Sequence, residues 1–337
     1  MPYDDPQLVH WDSMLTNFST GFDVDRDPYV GDLLAPTLPV DKQSNRYYVA
    51  TRDSWGRPTN DERAPGGMAN ELPPMTLSRR SYFAQEHALV NVVPIEDEEN
   101  ADPSINSLQY STVQTANTIL LNRENEIITK VTDNSNFNAA NSIDISGASV
   151  VWDDYTTPST PIPDVKTGRN VIHGFLGTLP NAFIVQWEVA STLEDHPSII
   201  ERIKYSQLGV TTDQLISEIF GVKTFVRAGA IALTSDYQLT ETVAYMWPKV
   251  ALLAYVPDRP MPRQPAFMYE FNWPFATNLP AVPGSQLPAG TMPTERWYDI
   301  DRKAWKVRVS RRYDLHFITI DDSGLSTGGY LMYNAIT

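Results

Sequence analysis

The chain has 337 residues, enough for about two domains with sizeable cores, and it contains no cysteine, which excludes disulfides, thiolate metal sites and a cysteine nucleophile. Its formal net charge of -15 argues against a dedicated nucleic-acid binder, which needs a basic surface for phosphates. The same charge fits a wall that lies near DNA without adhering to it, or plain solubility.

The first residues, MPYDDPQLVHWDS, lack the basic and apolar regions of a signal peptide, and the most apolar run, Val250 to Val256, is too short to span a bilayer. A soluble protein is expected. Met1 to Asp41 is rich in proline and aspartate but carries Trp11, Phe18, Phe22 and Tyr29, so it is predicted to be an extended arm lying along a surface. Arg46 to Arg52 has the β-propensity of a short strand, through Tyr47, Tyr48 and Val49. The polar run DSWGRPTNDERAPGGMANELPPM then brings three glycines and four prolines, and a strand, or two, resumes over Leu77 to Val93. So long a structureless stretch is uncommon inside a compact domain. Strand, polar tip, strand describes a two-stranded arm that cannot bury enough apolar surface alone and needs a partner to lie on.

PIEDEENADPS places Glu96, Asp97, Glu98, Glu99 and Asp102 together with no base among them. The longest predicted helix follows over Ile105 to Val131, uninterrupted by glycine or proline. Val113, Ala116, Leu120, Glu124, Ile127 and Val131 recur at helical spacing, and Ile119, Leu121 and Ile128 widen the face. Asp102-Pro103-Ser104 supplies a start signal, and the preceding acids suit the helix dipole. The broken heptad makes this helix a structural spine rather than half of a coiled coil.

From Pro161 the texture changes. Helices are predicted over Pro161 to Gly177, in two pieces over Trp187 to Gln207 split at Pro197, and over Thr211 to Gly221, capped by Thr212 or Thr211 and ended by Gly221. Strands are predicted over Asn181 to Gln186, Val222 to Ala228, Tyr245 to Pro257 and Pro265 to Pro274. The alternation suggests an α/β second domain. Phe275 to Pro293 is a second Pro/Gly-rich loop. Arg296 to Asp322 and Gly329 to Ile336 are strand-rich, with Val307 and Val309 alternating with basic side chains as in a half-buried strand.

The residues that could carry chemistry form no catalytic pattern. His10, His87, His173, His196 and His316 make no HExxH or metal-spaced pair and read as structural histidines. Asp23, Asp25 and Asp27 resemble the start of a calcium loop, but Pro28 stands where the turn glycine is needed and Leu34 where the bidentate Glu is needed. There is no Walker loop, GxGxxG or GxSxG. Asp153-Asp154 and Asp321-Asp322 are sequence neighbours that point to different faces and define no acid/base pair. The expectation is a non-enzyme with no cofactor and no metal. The basic run Arg296, Arg302, Lys303, Lys306, Arg308, Arg311 and Arg312 admits three readings: a nucleic-acid contact, a solvated strand face, or pairing with the acids of Glu96 to Asp102 within or between subunits.

Several stretches carry a family resemblance. Tyr29 to Val49, YVGDLLAPTLPVDKQSNRYYV, resembles the segment leading into the extended loop of tailed-bacteriophage major capsid proteins. ERAPGG and LSRRSYFAQEHAL resemble that loop's tip and return, and NADPSINSLQYSTVQTANTILLNRE is similar to the entry into their spine helix. His196 to Val222 is similar to a helical segment of their A-domain, and KVALLAYVPDRP and GYLMYNAI to later strands. Order and spacing are kept over most of Tyr29 to Tyr255.

The resemblance implies an α+β phage coat fold of the Hong Kong type. Its parts would be an N-terminal arm (1–43), an E-loop built as an extended β-hairpin (44–93), a P-domain with spine helix and sheet (94–160), an α/β A-domain with connecting loops (161–295), and C-terminal strands of both domains (296–337). The implied function is that of a non-enzymatic major capsid protein, whose hexamers and pentamers self-assemble into an icosahedral head shell around the phage genome. The alternatives are an encapsulin-like nanocompartment shell and a virion decoration or glycan-binding module. The E-loop would lie across the adjacent subunit, with Arg52, Trp55, Arg57, Arg63, Arg79 and Arg80 as contacts; Glu96, Glu98 and Glu99 facing Lys306, Arg308 and Arg311 form a second candidate interface. Arg46 to Glu86 contains no lysine, so cross-linking through an E-loop lysine is not expected. Charge pairs, strand contacts or a separate cement or decoration protein would lock the shell. An arm of about forty residues is too short for a built-in scaffolding domain, so a separate scaffold protein is expected, beside a portal. DNA would be touched only non-specifically, with no membrane partner, in a virion head assembled in the host cytoplasm.

Overall fold

The computed structural model describes residues 10–11, 29–49, 61–69, 71, 79–100, 106–148, 150–155, 159–204, 213–235, 240, 242–275 and 287–337. In chain order their strands are β1 (His10–Trp11), β2 (Thr37–Pro39), β3 (Ser44–Tyr48), β4 (Arg79–Phe83), β5 (Gln85–Pro94), β6 (Ser142–Asp144), β7 (Ala182–Gln186), β8 (Thr224–Ala228), β9 (Ile231–Leu233), β10 (Val243–Tyr245), β11 (Ala251–Ala254), β12 (Met268–Asn272), β13 (Thr294–Asp299), β14 (Ala304–Phe317) and β15 (Gly329–Tyr333). The α-helices are α1 (Gly31–Leu34), α2 (Ile95–Asn100), α3 (Ser107–Thr132), α4 (Ile145–Ala148), α5 (Pro161–Leu176), α6 (Trp187–Glu194), α7 (Pro197–Ile203) and α8 (Asp213–Phe220). None of these helices is long and apolar enough to cross a membrane.

The chain forms two compact units that interleave in sequence: 1–45, 82–129 and 270–316 make unit 1, and 46–81, 130–269 and 317–337 make unit 2. In unit 1 the sheet runs β1-β13-β14-β12-β2, with β5 also paired to β14. The long strand β14 alternates as predicted: Val307, Val309, Arg311, Tyr313 and Leu315 are buried, and Lys306, Arg308 and Arg312 are half-buried. Helix α3 packs Ala116, Ile119 and Leu120 against Val309 and Met292. It has 26 residues and is about 39 Å long at 1.5 Å per residue. The start signal read at Asp102 to Ser104 lies outside the described residues; the observed cap is Asn106, whose side chain accepts the Gln109 N–H at 3.1 Å. Thr112 and Thr115 are buried too, and their hydroxyls donate to the carbonyls of Leu108 and Ser111 one turn back.

The acidic run after β5 is itself a short helix, α2, because Glu96, Asp97 and Glu98 sit in the first turn, where the helix dipole favours anions. Residues 161–269 fall in unit 2 and 270–295 in unit 1. Met268 and Tyr269 belong to unit 2, whereas Glu270, Phe271 and Asn272 pair in parallel with Thr37, Leu38 and Pro39 in unit 1. A strand that leaves one core for another gives no local signal of it.

Unit 2 is built on the mixed sheet β6-β15-β11-β7-β8. β7 and β8 are parallel, and β11 is antiparallel to both β7 and β15. Every residue of β7 and β11 is buried, which is why these strands read as unbroken apolar runs. Trp152, Ile172, Phe183, Leu193, Ile199, Phe220, Leu253 and Tyr330 share its core. Helix α5 begins with Pro161 in its first turn and ends at Gly177, whose φ of 70° closes the helix in the left-handed conformation. The small antiparallel sheet β9–β10 was not foreseen. β3 and β4 form a two-stranded sheet of their own.

Candidate assembly surfaces

The ribbon β3–β4 flanks the polar tip, and every residue from Asp61 to Ala69 is exposed. Ala64-Pro65-Gly66-Gly67 makes a turn: the Gly67 N–H donates to the Ala64 carbonyl at 2.9 Å, and Gly66 has φ 81°. Proline followed by a glycine at positive φ is what a type II turn requires. Arg63 fastens the turn by donating from Nε to the Gly67 carbonyl at 2.6 Å. Met68 beside it is 90% exposed. Of the sequence-predicted contact residues, Arg52, Trp55 and Arg57 lie outside the described residues. Arg79 opens β4, and Arg80 is exposed with its guanidinium against Gly324.

The acids Glu96, Glu98 and Glu99 are exposed on α2. The bases predicted to face them have other partners within unit 1. Lys306 pairs with Asp299 at 2.6 Å, and Arg308 donates from Nε to Glu295 at 2.7 Å. Arg312 pairs with Glu86 at 2.8 Å, between Trp273 and Phe275. The sheet explains these choices. Glu295 stands directly opposite Arg308 across β13–β14, and Glu86 directly opposite Arg312 across β5–β14. Opposite charges on facing positions of an antiparallel pair need no loop to bring them together. The Lys306 ammonium holds Asp299 below the usual carboxylate range. This ladder engages Lys306, Arg308 and Arg312, while Arg302 and Lys303 of the same run are exposed.

Arg311 is not on that surface. It is buried and binds Glu270, which is also fully buried, at 2.7 Å. Arg123 of α3 donates to the other oxygen of the same carboxylate, to Asp32 at 2.8 Å and to the Ala35 carbonyl at 3.3 Å. Next to it, Glu124 accepts the backbone N–H groups of Val30 at 2.9 Å and Gly31 at 2.8 Å. Burial pushes the Glu270 carboxyl up, but the two guanidiniums more than offset this and hold it below its ordinary value. The spine helix is thereby tied both to the sheet and to residues 30–35, inside the expected N-terminal arm. Sequence reasoning missed this cluster. Two signals were available: Glu124 on the inward face of a helix, and Glu270 in the apolar run PAFMYEFNWP.

Unit 2 holds one arrangement that imitates catalytic chemistry. His196 Nε2 lies 2.6 Å from Ser159 Oγ, and burial lowers the imidazole's pKa. Its Nδ1, however, accepts the Ser198 N–H at 3.2 Å and faces the Ser198 hydroxyl at 2.7 Å. With Nδ1 an acceptor, the neutral ring carries its proton on Nε2 and donates to Ser159, the reverse of what a general base requires. His196 is the N-cap of α7 and ties it to Ser159, just ahead of α5.

No family model matches the chain. Two curated relatives are named major capsid proteins. That of Burkholderia phage BcepMu is 28% identical over 266 residues, covering 77% of this chain and 82% of its own. That of Pseudomonas phage JBD67 is 27% identical over 175 residues, covering 51% and 53%. A phage-related protein from Bordetella bronchiseptica has the same fold, with a TM-score of 0.69 at 22% identity over 96% of this chain and 97% of that one.

Proposed function

The chain belongs to the phage major capsid proteins, and from that premise we propose how its surfaces build a head shell. The observation that carries the proposal is the β3–β4 ribbon, with Asp61 to Ala69 exposed in the stretch between its strands. A two-stranded ribbon is at best marginally stable by itself, so its favoured state lies across another copy. In this reading 44–93 is the E-loop, α3 with the unit 1 sheet is the P-domain, and the β6-β15-β11-β7-β8 layer is the A-domain. Arg52, Trp55, Arg57, Arg63, Arg79 and Arg80 are its contacts on the neighbour. Glu96, Glu98 and Glu99 serve as a second contact, directed at a neighbour's cations.

The role is structural and non-enzymatic. Individually weak contacts let wrong additions dissociate, and multivalency makes the closed shell strong. Copies join in hexamers and pentamers, guided by a separate scaffold and a portal, and assemble in the host cytoplasm. With no lysine in Arg46 to Glu86, charge pairs, strand contacts or a cement protein lock the shell. The net charge of -15 suits a wall that DNA touches only non-specifically. The two phage relatives favour a genome shell over an encapsulin-like compartment.

Replacing Asp61 to Ala69 by a Gly/Ser linker tests the E-loop role. Folded subunits that form no closed particles by electron microscopy are expected; normal particles refute it. Analysis of the particles' contents, DNA or cargo protein, separates the phage head from the nanocompartment.

A further inference from the structure

The β9–β10 ribbon of unit 2 presents an apolar face that nothing in this chain's function so far uses. Its register pairs Leu233 with Val243 and Ile231 with Tyr245. Residues two apart in a strand share a face, so these four side chains form one contiguous patch, with Ala232 and Ala244 on the reverse. Ile231 is 55% exposed, Leu233 62%, Val243 59% and Tyr245 39%. The ribbon's root is fixed: Ala230 and Trp247 are buried, and the Met246 N–H donates to the Ala230 carbonyl at 2.8 Å. Further out, Thr234 and Thr242 join through a backbone hydrogen bond of 2.9 Å and a hydroxyl contact of 3.1 Å. The strands are thus held in register while their large side chains face solvent.

We propose that this face is a contact surface between copies of the chain, covered in the particle by a second copy. The inference rests on the shell reading and names a surface that it uses. No charged side chain occupies either strand, in a protein whose copies each carry a formal charge of -15. Like-charged copies repel, and an uncharged apolar contact adds adhesion without adding to that repulsion. A polyanion or a small charged ligand finds no partner on Ile231, Leu233 and Val243. A contiguous apolar patch on a firmly anchored ribbon resembles the core of a permanent homo-oligomer interface.

Because the chain has no cysteine, Val243→Cys places a single thiol on the face. In unassembled chain a maleimide should modify it rapidly. In particles its modification should slow by about ten-fold or more, from burial against the second copy. Independently, the double variant Leu233→Asp, Val243→Asp should lower particle yield about ten-fold or more while the unassembled chain keeps its wild-type melting curve. Equal labelling of the thiol in intact particles overturns the proposal, as do wild-type particle yields from the double aspartate variant. Both of those results leave the shell reading standing. A wild-type chain that forms no particle under any assembly condition overturns the shell reading itself, and this inference with it.

Discussion

Arg311 donates to the buried carboxylate of Glu270 at 2.7 Å, and that carboxylate's other oxygen is held by Arg123 from the spine helix. An acid between two buried guanidiniums makes Arg311 a folding residue, whereas Arg308, three positions earlier, has a side chain 38% exposed and pairs across the strand surface. Glu270→Gln should therefore cost about 3–5 kcal/mol by leaving buried cations uncompensated. Arg308→Ala should change stability by no more than about 1 kcal/mol. Urea unfolding of the unassembled chain measures both; equal effects would refute the distinction. Arg311→Glu should fail as soluble protein before assembly is ever tested.

Acid should unfold the subunit through the same cluster. Glu270 titrates below its ordinary value of 4.5 in the folded chain, so its contribution is present above pH 4.5 and is lost as pH falls through the lower folded pKa. Asp299 and Asp321 shift in the same direction and add to the effect. Beyond the shallower His196 slope that begins at pH 6.5, urea midpoints should fall steeply only below about pH 5. A profile flat to about pH 2 contradicts this.

His196 gives a separate window. Burial lowers its pKa below the ordinary 6.5, so the unfolded chain binds a proton more readily than the folded one. Its stabilising clamp is complete above pH 6.5 and weakens as pH falls from 6.5 toward the folded pKa. His196→Asn, which retains a capping side chain, should remove that slope from the stability profile. An unchanged slope would assign it to another group.

Two glycines on α5 should respond in opposite directions. A Cβ on Gly168 would stand 2.5 Å from Tyr330 Cδ1 and 3.0 Å from Leu253 Cδ1, so Gly168→Ala overpacks the helix–sheet contact and should cost about 1–3 kcal/mol. A Cβ on Gly174 meets nothing within 4 Å, and Gly174→Ala should stabilise by up to about 1 kcal/mol through helix propensity. Melting temperatures of the two variants decide the matter.

The elements were largely legible. Unbroken helical spacing gave α3 to within two residues at either end, and Pro161 and Gly177 marked α5. Tyr47 and Tyr48 marked β3, and VALLAYV contained β11. The ribbon β9–β10 escaped because its strands are three residues each, too short for a period to declare itself. The acidic α2 escaped because no apolar stripe accompanied its charges.

By itself the sequence determined the local order: which segments form a spine helix, a buried strand or a polar tip, and that no lysine lies in the stretch from Arg46 to Glu86. These follow from side-chain periodicity and from the backbone limits of glycine and proline, which act over a few residues. Only the tertiary structure decided the charge partners. Arg123 meets Glu270 across 147 positions, and Arg312 meets Glu86 across 226. Ion pairing depends on which strands lie side by side and in what register, and that is settled by the packing of whole layers, which no local window of sequence contains.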